Sequence, residues 1–220
     1  MDLDTIEKAR FNMVEQQVRP WNVEDADVLA LLSSVKREDF VPPAYKSLAF
    51  ADMGIPLAHG QRMLEPRIQA RLLQDAGVQA GNLVLEIGTG TGYLTALLAK
   101  QADQVITYEI NAELADTARI NLHAAGIYNV EVRTADGAQG AQADGPFDVI
   151  VLGGSVEQVP QELLTQLKVG GRLVGIVGAE PIMHALTISR TSQTNYKTDE
   201  RWDDNAPALQ HFPQSSRFRF

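Results

Sequence analysis

Apolar positions at helical spacing come first along the chain. Short apolar runs of strand length, alternating with helical stretches, follow them. Residues 5–18 read as a helix ended by Arg19-Pro20, because the residue before a proline avoids the α region. Asn22 is the expected N-cap of a second helix, where Val28, Leu31, Leu32 and Val35 form one stripe at i, i+3, i+4, i+7. Residues 36–43 are expected to be extended by their prolines, with charges in solvent and Phe40 and Val41 as the packing anchor. Residues 44–64 lack periodicity and are a candidate wall for a site just upstream of the core. Pro66 opens another helix, with Ile68, Leu72, Leu73 and Ala76 facing inward and Gly77 closing it.

From there the pattern alternates. Val84, Leu85 and Ile87 make a strand, then come a helix at about 93–100, a strand at 104–109, and a helix at about 112–125 with Leu114, Ala118 and Leu122 on one face. Strands are expected at 129–133, 147–152 and 172–177, with a polar loop over 137–145 and a short helix at about 161–167. Residues 185–190 and 195–202 read as an antiparallel hairpin, 203–212 as a loop returning to the body, and 214–220 as frayed. Alternating strands and helices imply right-handed crossovers and a parallel sheet covered on both faces. Ligands in such sheets lie beyond the C-terminal strand ends. Glu86, Glu109 and Asp136 should therefore share one rim.

Composition narrows the field. The 220 residues fit one domain with ample core, and 45% hydrophobic with 21% charged content is globular. The divisions expected are an N-terminal extension (1–64) forming part of an acceptor wall, a cofactor-binding core (65–180), and a C-terminal hairpin and tail (181–220). A net charge of −9 argues against nucleic acid and against an anionic membrane surface. The chain has no cysteine, which excludes disulfides, thiolate metal sites and a cysteine nucleophile. With neither a basic n-region nor a long apolar run, a cytoplasmic location is the default expectation.

The densest chemistry lies in Val84-Leu-Glu-Ile-Gly-Thr-Gly-Thr-Gly-Tyr93. Glycines at 88, 90 and 92 allow a sharp strand-to-helix turn, and a ligand is expected against bare backbone amides there. Glu86 in an apolar strand needs a cation or several donors to meet it. Glu109 stands about 20 residues past the first glycine, where a carboxylate reaches the hydroxyls of a bound ribose. A purely structural turn would explain the glycines alone, and a nicotinamide site would prefer Gly-x-Gly-x-x-Gly. Glu86-x-Gly-x-Gly-x-Gly with Glu109 resembles the S-adenosylmethionine loop of class I methyltransferases. The resemblance implies that Gly88, Thr89, Gly90 and Gly92 hold the methionine end, with Glu86 near its amino group. It also implies Glu109 on the ribose, and Asp136 and Gly137 near the adenine.

Other segments resemble the protein-L-isoaspartate O-methyltransferase family: 12–17, 35–42, 49–57, Gly60-Gln61, Asp136-Gly137 with Gly140, and Pro146-Phe-Asp148. In 35–42, Lys36 replaces a proline of the family's Val-Pro-Arg-Glu-x-Phe-Val-Pro. The resemblance implies a Rossmann-like doubly wound, mostly parallel sheet of seven strands, its last two permuted relative to most class I methyltransferases. It further implies methylation of isoaspartyl carboxylates in proteins or peptides, with S-adenosylhomocysteine as product. One departure is plain. The family's acceptor loop reads Gly-x-Gln-Thr-Ile-Ser-Gln-Pro and its serine is regarded as catalytic, whereas here Gly60-Gln-Arg-Met-Leu-Glu-Pro66 puts Leu64 at that position and Arg62 at the threonine. Arg62 is expected either to meet an acceptor carboxylate or to sit in solvent.

Methyl transfer to an ionised carboxylate needs orientation and exclusion of water rather than a general base. The absence of an obvious His/Asp pair along the sequence is thus consistent with this chemistry. The histidines, at 59, 123, 184 and 211, have no metal-ligand spacing, so no metal is expected, and His59 falls in the acceptor loop. Two other readings remain open at this point: a methyltransferase for a small acid, and a non-catalytic S-adenosylmethionine-binding protein.

Overall fold

The computed structural model describes residues 3–214, so the expectation for the chain end lies, from residue 215, outside the described residues. Helix α1 (Leu3–Asn12) runs on without a break through a π-helical turn, Met13–Val18, and a tight 3-10 turn, Arg19–Trp21. The helical path therefore overruns Pro20, which fits the first turn of the 3-10 segment, where no backbone N–H is needed. Asn22 is not a cap for α2 (Ala26–Ser34). It takes the left-handed conformation (φ 62°) that ends the preceding turn, and the Asp25 carboxylate caps α2 by accepting from the Asp27 and Val28 amides. Residues 36–43 are not extended throughout, since 3-10 turns form at Arg37–Asp39 and Pro43–Leu48. Phe40 and Val41 are buried as expected, but the charges between them and α2 are not all in solvent: Arg37 is fully buried.

A short ribbon, β1 (Ile55–Pro56) with β2 (Arg62–Met63), folds residues 55–63 back on themselves. Helix α3 (Pro66–Ala76) follows, closed by left-handed Gly77. Then come β3 (Leu83–Ile87), α4 (Tyr93–Ala99), β4 (Gln104–Glu109), α5 (Ala112–Ala124) and β5 (Val130–Thr134). The chain continues through β6 (Phe147–Val156), α6 (Gln161–Thr165), β7 (Leu167–Ala179), β8 (Ile182–Arg190) and β9 (Tyr196–Asp203).

Seven strands form one sheet in the order β5-β4-β3-β6-β7-β8-β9. Pairing is parallel from β5 through β7 and antiparallel at β7–β8 and β8–β9. The last three strands thus lie side by side in chain order. Two apolar layers cover the sheet. One joins Met13, Leu32 and Phe40 to Leu73, Leu97 and Leu122; the other gathers Leu85, Ile87, Phe147, Leu163, Leu173 and Phe212. The order places β3 and β6, whose crossovers run in opposite directions along the sheet, side by side, and a crevice opens at their C-terminal ends.

Strand β6 runs past Leu152, its expected end, through Gly153-Gly154 to Val156 with a register shift against β7. Glycine is required at this point. A Cβ on Gly153 would strike the Gly88 carbonyl, and one on Gly154 would lie 2.7 Å from the Pro207 carbonyl. That close approach lets the tail add to the end of β6. The Ser155 amide donates to Pro207 O (2.8 Å), the Leu209 amide donates to Ser155 O (2.8 Å), and Ser155 Oγ donates to Ala206 O (2.8 Å).

Candidate cofactor and acceptor site

The crevice is lined by Ile87 and Gly88 from the end of β3, Tyr108 to Ile110 from β4, and Ala135 to Ala138 after β5. Gln61 and residues Leu209, Gln210 and Phe212 of the tail cover it. Gly88, Glu109, Asp136 and Gly137 meet on one rim, whereas Glu86, expected to share it with Glu109 and Asp136, is buried away from it.

The glycines turn the chain through left-handed conformations, with φ of 95° at Gly88, 56° at Gly90 and 93° at Gly92. Their amides, however, are not bare. Those of Gly88 and Thr89 donate to Tyr108 O (2.9 and 3.3 Å) and that of Gly92 to Thr89 O (2.9 Å), while Gly90 N–H donates to Glu109 Oε2 (2.8 Å). The end of β4 lies alongside the loop and takes the amides of Gly88, Thr89 and Gly90. What the loop offers a ligand is a surface without side chains: a Cβ on Gly88 would come within 2.8 Å of Leu209, and one on Gly90 within 3.6 Å of Leu57.

Glu109 is nearly buried, and its other oxygen, Oε1, accepts from the Asn111 amide (3.0 Å). Oε1 also accepts from Asn111 Nδ2 (3.5 Å), and Oε2 keeps lone-pair capacity beyond its bond to Gly90. Asp136 Oδ1 accepts from the Ala138 amide (2.9 Å), and Oδ2 lies 2.7 Å from His211 Nδ1. Partial burial pushes the Asp136 carboxyl up, but the Ala138 amide and His211 outweigh it and hold the group below the usual carboxylate range. Gly137 packs so closely on the strand ends that a Cβ would lie 2.8 Å from Ile87 Cγ2.

Glu86 lies behind the loop, facing α4 rather than the crevice. It is fully buried, with Oε2 accepting from Thr95 Oγ1 and Thr107 Oγ1 (2.6 Å) and Oε1 unpartnered. The several donors that a carboxylate in this strand demands are thus hydroxyls, with no cation among them. Burial, opposed by these hydroxyls, pushes the group up to about 7. Thr107 spends its proton on Glu86, so Thr89 Oγ1, 2.7 Å away, donates to Thr107. Glu86 therefore braces Thr89 and the loop from below.

The acceptor-loop positions diverge. Leu64 is 2% exposed and its side chain belongs to the larger apolar layer, while its carbonyl accepts from Arg37 Nη2 (2.7 Å). Arg62 is exposed, its stem lying across Gly54. His59, also left-handed (φ 57°), reaches Glu113 at 3.0 Å in the first turn of α5. Sequence reasoning missed the parts played by Arg37, Leu209 and Phe212, whereas Gln61 lies in the stretch expected to wall the site. The isolated charge run hid Arg37, and the tail carries no periodicity that marks it as a cover.

A glycine turn between β3 and α4, a carboxylate at the end of β4 and a second acidic residue after β5 define an S-adenosylmethionine-dependent methyltransferase of the Rossmann-like class. A family model for protein-L-isoaspartate(D-aspartate) O-methyltransferase matches residues 8–202. The protein-L-isoaspartate O-methyltransferase of Gloeobacter violaceus is 43% identical over 80% of this chain and 86% of its own. That of Rhodopseudomonas palustris, numbered 1 in that organism, is 39% identical over 92% of this chain and 83% of its own. Among solved structures, one from Plasmodium falciparum, described as a beta-aspartate methyltransferase in complex with S-adenosyl-L-homocysteine, superposes with a TM-score of 0.78. It is 21% identical and covers 91% of this chain and 98% of that one, a likeness of fold. The chain belongs to the protein-L-isoaspartate O-methyltransferase family.

Proposed function

We propose that this protein methylates the carboxylate of isoaspartyl residues in proteins or peptides, using S-adenosylmethionine held in the crevice between the glycine loop and the tail. The observation that carries the reading is Glu109, nearly buried at the end of β4 and bonded to Gly90, so that ribose-binding carboxylate and glycine loop form one unit. The residues around the crevice suit such a ligand. Ile87, Ile110, Ala138 and Phe212 supply apolar walls for a base, Asp136 an acceptor at its edge, and Gly88 a floor with no Cβ.

S-adenosylmethionine supplies an activated methyl group for direct displacement. The protein's part is to orient and to dry the site. Leu57 beside Gly90 and Leu209 beside Gly88 cover part of the loop, and an acceptor carboxylate, ionised at neutral pH, needs no base. Residues 61–65 border the acceptor. With Leu64 turned into the core and Arg62 into solvent, this border lacks the family's hydroxyl, and we expect turnover on isoaspartyl peptides to be low while cofactor binding is intact. Family membership does not favour a small-acid acceptor or a non-catalytic role. No helix among the described residues is long and apolar enough to cross a membrane, and a cytoplasmic location is part of the same proposal.

The test is transfer of labelled methyl to an isoaspartyl peptide, with its normal aspartyl twin as control. Incorporation confined to the isoaspartyl peptide, as a base-labile ester, is the expected result. Equal incorporation into both peptides, or none into either by a protein that binds S-adenosylhomocysteine, would overturn the acceptor assignment.

A further inference from the structure

Arg37 heads the largest fully buried side chains of the protein, with no solvent exposure at all. Burying a guanidinium is costly unless its donors are met. Here three separate segments meet them. Nε donates to the Ala49 carbonyl (3.0 Å), Nη2 to the Leu64 carbonyl (2.7 Å) and Nη1 to Gln69 Oε1 on α3. The guanidinium carbon also lies 5.0 Å from the centroid of the Tyr93 ring, and Tyr93 directly follows the last glycine of the cofactor loop.

The backbone acceptors explain why an arginine is needed. Ala49 ends a 3-10 turn, so its carbonyl has no helical donor. Leu64 stands just before Glu65, the non-helical cap of α3, so its carbonyl lies outside the helix ladder. A planar fork can serve both and a side-chain amide at once; a lysine ammonium offers one point of charge. Burial pulls the guanidinium down to about 10, partly opposed by Tyr93, Glu65 and Asp52, so it stays charged at neutral pH.

We propose that Arg37 is a positioning residue that sets the acceptor loop, 61–65, against the cofactor loop, 88–92; the functional half of this rests on the reading that 61–65 borders the acceptor. Through Leu64 it holds one loop, and through Tyr93 it bears on the base of the other. Ordering of the cofactor loop by a ligand is thereby transmitted to the loop that presents the acceptor.

Hydrogen exchange with S-adenosylhomocysteine tests this without any acceptor, so it reads the link even if the acceptor assignment fails. In the unaltered protein the ligand should slow exchange of both the 88–92 and the 63–65 amides, the latter by about tenfold. In Arg37→Lys the ligand should still slow 88–92 and leave 63–65 within about twofold of the free protein. Turnover of that variant on isoaspartyl peptide should fall by about tenfold or more, with S-adenosylhomocysteine affinity within about threefold of the original. Should Arg37→Lys not fold, Gln69→Leu removes one of the partners and should show the same uncoupling in weaker form. Ligand protection of 63–65 that survives undiminished in a folded variant, or that is missing from the unaltered protein, overturns the proposal.

Discussion

His211 Nδ1 lies 2.7 Å from Asp136 Oδ2, and this contact ties the C-terminal tail to the rim of the cofactor crevice. Its counterpart across the loop is His59 Nε2, 3.0 Å from Glu113 Oε2, which ties down residues 57–61. Both histidines take left-handed backbone conformations, and the turns that hold them carry the covering residues: Gln61 on one side, with Leu57 beside Gly90, and Leu209 and Phe212 on the other. The pairs are largely exposed, and such contacts are worth about 1 kcal/mol or less. His211→Ala should therefore speed release of S-adenosylhomocysteine by only about two- to fivefold, leaving the melting temperature of the free protein unchanged. Displacement kinetics read the effect, and an unchanged release rate would mean that the tail does not gate the crevice.

Glu109 has two duties, and replacing it exposes both. Loss of charge-assisted bonds to a ribose should weaken S-adenosylhomocysteine binding on the order of tenfold to a hundredfold. Loss of the acceptor for the Gly90 and Asn111 amides should also destabilise the free protein, by about 1–3 kcal/mol. Calorimetry and thermal melting of Glu109→Ala measure the two separately. Full stability with weakened binding would show that water replaces the carboxylate at those amides; full affinity would remove Glu109 from the site.

Glu86 should leave a signature in the pH dependence of stability. Folding raises its pKa from 4.5 to about 7, so the native protein keeps its proton at a pH where the unfolded chain has lost it. The stability this contributes is complete below about pH 4.5 and is lost as pH rises to about 7, on the order of 3 kcal/mol at most. Glu86→Gln stays neutral throughout, so its melting temperature relative to the unaltered protein should climb between pH 5 and pH 7.5 (roughly that window) and then level off. A constant difference across the range would place the Glu86 titration elsewhere.

Leu64→Ser puts the family's hydroxyl back at a position that the fold buries. Trading a packed leucine for a small polar side chain should cost about 2–5 kcal/mol of stability. Turnover on isoaspartyl peptide, expressed per folded molecule, should rise by about tenfold, the worth of one hydrogen bond to a charged acceptor. Adding Arg62→Thr should not reduce that gain, because Arg62 lies in solvent. Lower turnover per folded molecule would show that the apolar side chain is itself what the acceptor wall uses.

The local order of this fold was legible because it is written in neighbouring residues. Strand periodicity, alternate glycines at 88, 90 and 92, and a carboxylate at the end of β4 marked the glycine turn and the strand ends around the crevice, while Glu86 at the end of β3 turned out to be buried behind the loop. Contacts between distant segments were not legible. Arg37 reads as one charge in a polar run, yet three carbonyl-type acceptors from residues 49, 64 and 69 draw it inside, because a buried guanidinium is tolerable only where its donors are met. The loop amides read as free, yet the end of β4 takes those of Gly88, Thr89 and Gly90, because that strand stops beside the loop. The tail reads as an irregular return, yet Ser155 holds it through an isolated parallel bridge where Gly153 and Gly154 let backbone approach backbone. Sequence by itself determined which elements form and which residues stand at strand ends, since both follow from spacing along one segment. Only the tertiary structure decided which buried donors find which acceptors, since that depends on segments far apart in the chain arriving at the same place.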